Sequence, residues 1–133
     1  MQFGESVHGR DLPDAVRRAI DGVCGFDIEL AMSAFTAPVR LSEGRQRIAA
    51  GKTQVRHCLL RMFAGIDSID FDSVAMWVRP EVVVLEADVR ITRGDHAYVQ
   101  LPVTVVFCLL DELVSEVQLW TYAAAVNGIS RVA

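Results

Sequence analysis

Apolar residues follow two different rhythms along this chain, and the change falls near Ile69. In the first half, Leu12, Val16, Ala19, Ile20 and Val23 recur at helical spacing. They predict an amphipathic helix over 11–24, with Asp11 as its N-cap, Pro13 in its first turn and Gly25 as its break. Asp27 caps a second helix over 28–35, and Pro38 ends the helical section because proline disfavours a helical residue before it. An extended stretch at 39–42 and a turn at Glu43-Gly44 lead into a small hairpin with Arg47 to Ala50. A third helix follows over 52–64, with Val55, Leu59, Leu60, Met62 and Phe63 as its stripe and Gly65 as its stop.

From Ile69 onward the period is two, which predicts strands at 70–79, 81–92, 96–110 and 113–122, separated by Arg79-Pro80, Gly94-Asp95 and Asp111-Glu112. Helices gathered at the front and a meander of strands at the back predict an α+β fold in which a curved antiparallel sheet wraps around three N-terminal helices. Residues 1–10 carry Gly4 and Gly9 without an apolar period and read as a loose arm; 11–126 form one domain and 127–133 a tail.

Composition narrows the function classes. At 133 residues, 52% hydrophobic and 23% charged, the chain is one globular domain with a real core. A net charge of −4, with no run of Lys or Arg, excludes nucleic acid as the default partner. No apolar stretch approaches the roughly 20 residues of a membrane span, and Met1 to Ser6 lack the basic start and apolar centre of a signal peptide, so a cytoplasmic protein is expected. Cys24, Cys58 and Cys108 lie in apolar contexts without CxxC spacing and read as buried free thiols. No two of His8, His57 and His96 have ligand spacing, and no glycine pattern matches a phosphate loop or dinucleotide fingerprint, so neither metal nor cofactor is expected. The basic residues are arginines apart from Lys52, a bias that points to a GC-rich bacterial genome rather than to chemistry.

The chemically informative residues sit on the central hairpin. With Gly94-Asp95 as a two-residue turn, Arg93 faces His96, Glu86 lies opposite Val103 and Asp88 opposite Leu101. Val99, Leu101, Val103, Val105, Phe107 and Leu109 then make an uninterrupted apolar face onto which Glu86 and Asp88 project. Pro102, which cannot donate to a ladder, is a candidate bulge beyond which the pairing shifts. Carboxylates on an apolar face must be paired, neutralised or placed along a cavity. Two alternatives stay open: a pocket, or an outer, dimer-forming face where Arg40, Arg47 or Arg90 pairs with them. Trp77, Trp120 and Tyr122 serve as pocket walls in the first and interface anchors in the second.

The order of elements, with Phe35-Thr36-Ala37-Pro38-Val39, Gly51-Lys52-Thr53 opening the third helix, and Thr104-Val105-Val106-Phe107 followed by Asp111 to Glu116, resembles the nuclear transport factor 2-like superfamily and its SnoaL-like branch. The resemblance covers about residues 11–122 and implies a cone-shaped α+β barrel that encloses an apolar pocket, usually in a homodimer. It places Leu41, Val55, Leu59, Met62, Leu101, Val103, Val105, Leu119 and Thr121 around a small apolar ligand. Glu43 falls near the general base of ketosteroid isomerases, and Asp88 near a catalytic aspartate of limonene-epoxide hydrolases. The departures are as informative. Ala19 replaces the isomerases' tyrosine, and Leu101, Val103 and Val105 supply no acid. Glu86, Leu119 and Leu41 replace the hydrolases' arginine, second aspartate and tyrosine, and Tyr122 stands where SnoaL-like proteins often end with an aspartate.

Two functions follow. One is an isomerase, cyclase or hydrolase that uses Asp88 with Glu86 or Glu43 for acid–base chemistry on a small apolar molecule. The other is a non-catalytic homodimer that binds a ligand or partner. In the first, Asp88→Asn abolishes turnover without loss of stability; in the second it destabilises by stranding an arginine.

Overall fold

A computed structural model of the chain describes residues 12–94 and 98–121. The expected arm over 1–10, the cap at Asp11, His96 and the end of the chain from Tyr122, including the tail over 127–133, lie outside the described residues. The elements are α1 (Asp14–Cys24), α2 (Ile28–Met32), β1 (Phe35–Glu43), β2 (Gln46–Ala50), α3 (Lys52–Gly65), β3 (Ser68–Val78), β4 (Val82–Thr92), β5 (Tyr98–Leu110) and β6 (Leu113–Thr121).

The six strands form one curved sheet in the order β2-β1-β6-β5-β4-β3, and the fold class is α+β. β3 to β6 are the antiparallel meander that period two predicts. The sheet is nevertheless mixed rather than wholly antiparallel, because β1 runs parallel to β6 with Leu41 beside Val117 and Glu43 beside Leu119. Concave-face side chains such as Val83 and Leu85 of β4 and Val114 of β6 pack with Val16 of α1 and Val39 of β1 in a fully buried core.

The helices begin and end for local reasons. α1 is capped by Pro13, so proline stands one position before the helix instead of inside its first turn. At the other end the Phe26 N–H donates to the Val23 carbonyl at 3.2 Å and the Asp27 N–H to the Gly22 carbonyl at 2.8 Å, the paired bonds of a Schellman stop. The left-handed residue of that stop is Phe26 (φ 57°), not Gly25. Its ring stacks on Phe63 with centroids 4.9 Å apart, and this contact fixes a conformation that a bulky side chain otherwise avoids. Asp27 then caps α2 by accepting from the Leu30 N–H at 3.1 Å.

α2 ends three residues before the expected boundary because Phe35 turns its buried side chain into β1. Pro38 lies inside that strand, in the interruption between the pairs Phe35–Val114 and Arg40–Glu116, where no ladder bond is required of it. Gly51 opens α3 at φ 87°, a left-handed position, while its N–H donates to the Val39 carbonyl at 2.7 Å.

The β5–β6 turn offers a direct test of backbone strain. Asp111 (φ 53°) and Glu112 (φ 69°) are both left-handed, the geometry in which glycine is favoured at the second turn residue. Glu112→Gly is expected to stabilise the chain by about 0.5–1 kcal/mol, after allowing for glycine's greater unfolded-state freedom. The check is a higher denaturant midpoint at unchanged slope.

Candidate functional site

Register decides which side chains can form a site. β4 pairs with β5 through Thr92–Tyr98, Asp88–Pro102, Ala87–Val103 and Glu86–Thr104, one residue away from the expected pairing. The observed pairs do not have the parity that a two-residue Gly94-Asp95 turn requires, and a one-residue shift moves every side chain to the other face. Glu86 and Asp88 lie on the convex face, around a cleft they share with Val74, Pro102, Thr104 and Trp120. The expectation that both project onto the core face is thus corrected. The pairing also continues through Pro102 without a bulge.

β6 follows the same frame. Leu119 pairs with Val105 and Thr121 with Val103, facing the concave side, whereas Trp120 pairs with Thr104 and faces outward. Trp120 is 41% exposed and Trp77 52% exposed, so neither tryptophan walls the interior. Arg40 donates to Glu116 Oε1 at 3.0 Å rather than to Glu86 or Asp88.

Directly across from Asp88 on β3 stands Asp72. Like charges in that arrangement repel, so Asp88→Asn is expected to raise stability by about 0.5 kcal/mol and to leave any ligand affinity of the interior unchanged. Chemical denaturation and a binding titration on the same variant check both halves.

Between the helices and the concave face lies a cavity of about 380 Å³. Its wall includes Leu41 of β1, Val55, Leu59 and Met62 of α3, Leu101, Val103 and Val105 of β5, and Leu119 and Thr121 of β6. Sequence reasoning missed the contribution of α1, whose Ala19, Ile20, Val23 and Cys24 also line it, and that of Ile69 and Phe71 on β3. The helical spacing of Ile20 and Val23 was the available signal, but core packing and a cavity wall leave the same pattern.

The polar groups on this wall are few. Of Glu43, Glu86 and Asp88, it is Glu43 that lines the cavity, with its exposed side chain at the end of β1. Arg40 borders the cavity, but it stands beside Glu116 in the β1–β6 pair, on the face opposite Leu41 and Glu43, and its guanidinium is held by that carboxylate. The Cys24 thiol is pushed up to about 11, first by burial and then by Asp21 and Asp70. It therefore stays protonated near neutrality and forms part of an apolar wall, not a nucleophile. Thr121 adds a buried hydroxyl oxygen without a hydrogen-bond partner among the described residues. Elsewhere His57 is exposed on α3. Among the described residues no three His, Cys, Asp or Glu side chains are grouped to hold a metal ion, and no helix is long and apolar enough to cross a membrane.

The sequence matches no protein-family model and no curated protein. Its fold, however, is similar to solved structures over nearly the whole chain. A proposed SnoaL-like polyketide cyclase from Jannaschia sp. CCS1 is 21% identical with a TM-score of 0.73, over 88% of this chain and 90% of that one. An LEH-like epoxide hydrolase from M. tuberculosis is 17% identical with a TM-score of 0.75, over 90% and 89%. An NTF2-like protein of unknown function from Burkholderia pseudomallei is 13% identical with a TM-score of 0.73, over 86% and 93%. The chain has the NTF2-like α+β fold that these structures share, the fold the sequence resemblance implies.

Proposed function

We propose that this chain binds a small, predominantly apolar molecule in the cavity between its helices and the concave face of its sheet. The observation that carries this reading is the cavity itself. A space of about 380 Å³ walled by aliphatic and aromatic side chains is within the size range of ligand sites. Protein interiors otherwise pack to near-crystal density, and unfilled apolar volume lowers stability at roughly 24 cal/mol per Å³. A ligand that fills the space offsets that loss. Two of the similar structures, an epoxide hydrolase and a proposed polyketide cyclase, support a small-molecule reading.

Acid–base chemistry on the bound molecule is a second reading, favoured by the position of Glu43 on the cavity wall. In that case Glu43, rather than Asp88 or Glu86, transfers the proton, and Glu43→Gln removes turnover while retaining binding. Homodimerisation is a third element, through the convex face where Val74, Trp77 and Trp120 are 48%, 52% and 41% exposed. Trp77→Glu is then expected to give monomers by sedimentation, and an unchanged mass would end that part of the proposal.

The direct test of binding uses 1,6-diphenylhexatriene, an apolar fluorophore with no hydrogen-bonding group. Saturable emission at one equivalent per chain is expected. Emission that never saturates, or that is no greater than with an unrelated protein, overturns the reading.

A further inference from the structure

We infer that the cavity selects an apolar molecule with one hydrogen-bond-donating headgroup, an alcohol or a protonated amine, held between Thr121 and Glu43, and that it rejects carboxylates. This rests on the binding function proposed above and specifies its ligand. The starting point is the Thr121 hydroxyl, whose oxygen is buried without a hydrogen-bond partner among the described residues. A buried hydroxyl in that state is destabilising, and it is a natural contact for a ligand group. The other such hydroxyl, Thr36, does not line the cavity.

Topology brings Thr121 to the same end of the cavity as Glu43. Glu43 lies beside Leu119 in the parallel β1–β6 pair, and Thr121 follows two residues later on the same face of β6. The Gly44 N–H, donating to the Leu119 carbonyl at 2.8 Å, ties the two strands at this point. A headgroup here meets a hydroxyl that can donate or accept and a carboxylate that accepts when ionised. An alcohol or ammonium satisfies both. A ligand carboxylate meets like charge at Glu43, an arrangement that interfaces use to exclude wrong partners.

The remaining polar side chains on the wall do not reverse this preference. Arg40, the cation that would welcome an anion, is turned to the other face with Glu116 and engaged by it at 3.0 Å. The Cys24 thiol is kept neutral by its burial. The rest of the wall is aliphatic or aromatic, so headgroup specificity resides with Glu43 and Thr121.

The experiment displaces bound 1,6-diphenylhexatriene with 1-octanol, octylammonium or octanoate at pH 7.5, using the full chain and the variants Glu43→Gln and Thr121→Val. In the natural sequence, octanol and octylammonium are expected to displace the fluorophore at concentrations at least about tenfold below that of octanoate. Glu43→Gln is expected to abolish the discrimination against octanoate. Thr121→Val should weaken octanol by about fivefold relative to the fluorophore and raise the unfolding temperature, because it deletes an unpartnered hydroxyl. Octanoate that displaces as well as octanol, or a Thr121→Val chain that is destabilised, overturns the inference while the fluorophore still reports a binding cavity. A fluorophore that does not bind overturns the cavity reading, and this inference with it.

Discussion

Gly22→Ala is expected to be one of the most damaging single-methyl additions this chain can receive, with a loss of about 2 kcal/mol or more in unfolding free energy. A Cβ at position 22 would lie 2.4 Å from the Ala31 nitrogen, 2.7 Å from its Cα and 2.7 Å from its Cβ. Two of these atoms are backbone and the third is fixed to it, so no rotamer change can make room. α1 and α2 would have to separate, exposing Ala15, Val16, Ala31 and Met32, all of which are buried. Alanine's better helix propensity, about 1 kcal/mol, opposes the loss without cancelling it. Ala31→Gly in the same chain removes only one of the three close contacts and should restore little. Because α1 also supplies Ala19, Ile20 and Val23 to the cavity wall, the variant should bind the apolar fluorophore less tightly as well. Denaturant unfolding decides the matter: a stability equal to the natural sequence would show that the helix crossing opens freely.

That crossing illustrates what a sequence conceals. Gly22 sits inside a regular helical pattern, and nothing within α1 says that α2 approaches it. The elements themselves were legible wherever the apolar period was long: α1, α3 and four strands stand within three residues of their expected limits. Register was legible too, but from a different clue. Val83, Leu85, Ala87 and Val89 form one apolar row of β4, and Val103, Val105 and Phe107 one apolar row of β5. Placing these rows on a common face requires odd-numbered residues of β4 opposite odd-numbered residues of β5, the parity of the observed Ala87–Val103 pair. A two-residue turn at Gly94-Asp95 requires the opposite parity and drives Glu86 and Asp88 inward. Burial of two apolar rows outweighs the preference for a tight turn, and the carboxylates stay outside. The β1–β6 pairing was not legible, because Arg40 and Glu116 are 76 positions apart and a parallel neighbour has no local signature. The cavity wall on β5 and β6 came through the family resemblance; its α1 side required the packing of the helix itself.

Leu119→Phe is expected to move stability and binding in opposite directions, and this separates a ligand cavity from an ordinary core. Leu119 is half-buried on the concave face of β6, opposite Val105 and beside Glu43. A ring at this position has about 380 Å³ of adjoining space to enter. Filling apolar space typically adds about 0.5–2 kcal/mol, so the unfolding free energy should rise. The same ring occupies the volume the ligand needs, and the affinity for 1,6-diphenylhexatriene should fall by at least about tenfold, since one displaced contact set of about 1.4 kcal/mol already gives that factor. Were the region a close-packed core, the extra atoms would force strained rotamers and stability would drop by about 1–3 kcal/mol. Trp120→Ala one residue along is the matched control, because its side chain is on the convex face and its loss leaves the cavity volume untouched. A chain in which Leu119→Phe is stabilised and no longer binds, while Trp120→Ala binds normally, locates the ligand on the concave side of β6. A destabilised Leu119→Phe chain that binds as before places it elsewhere.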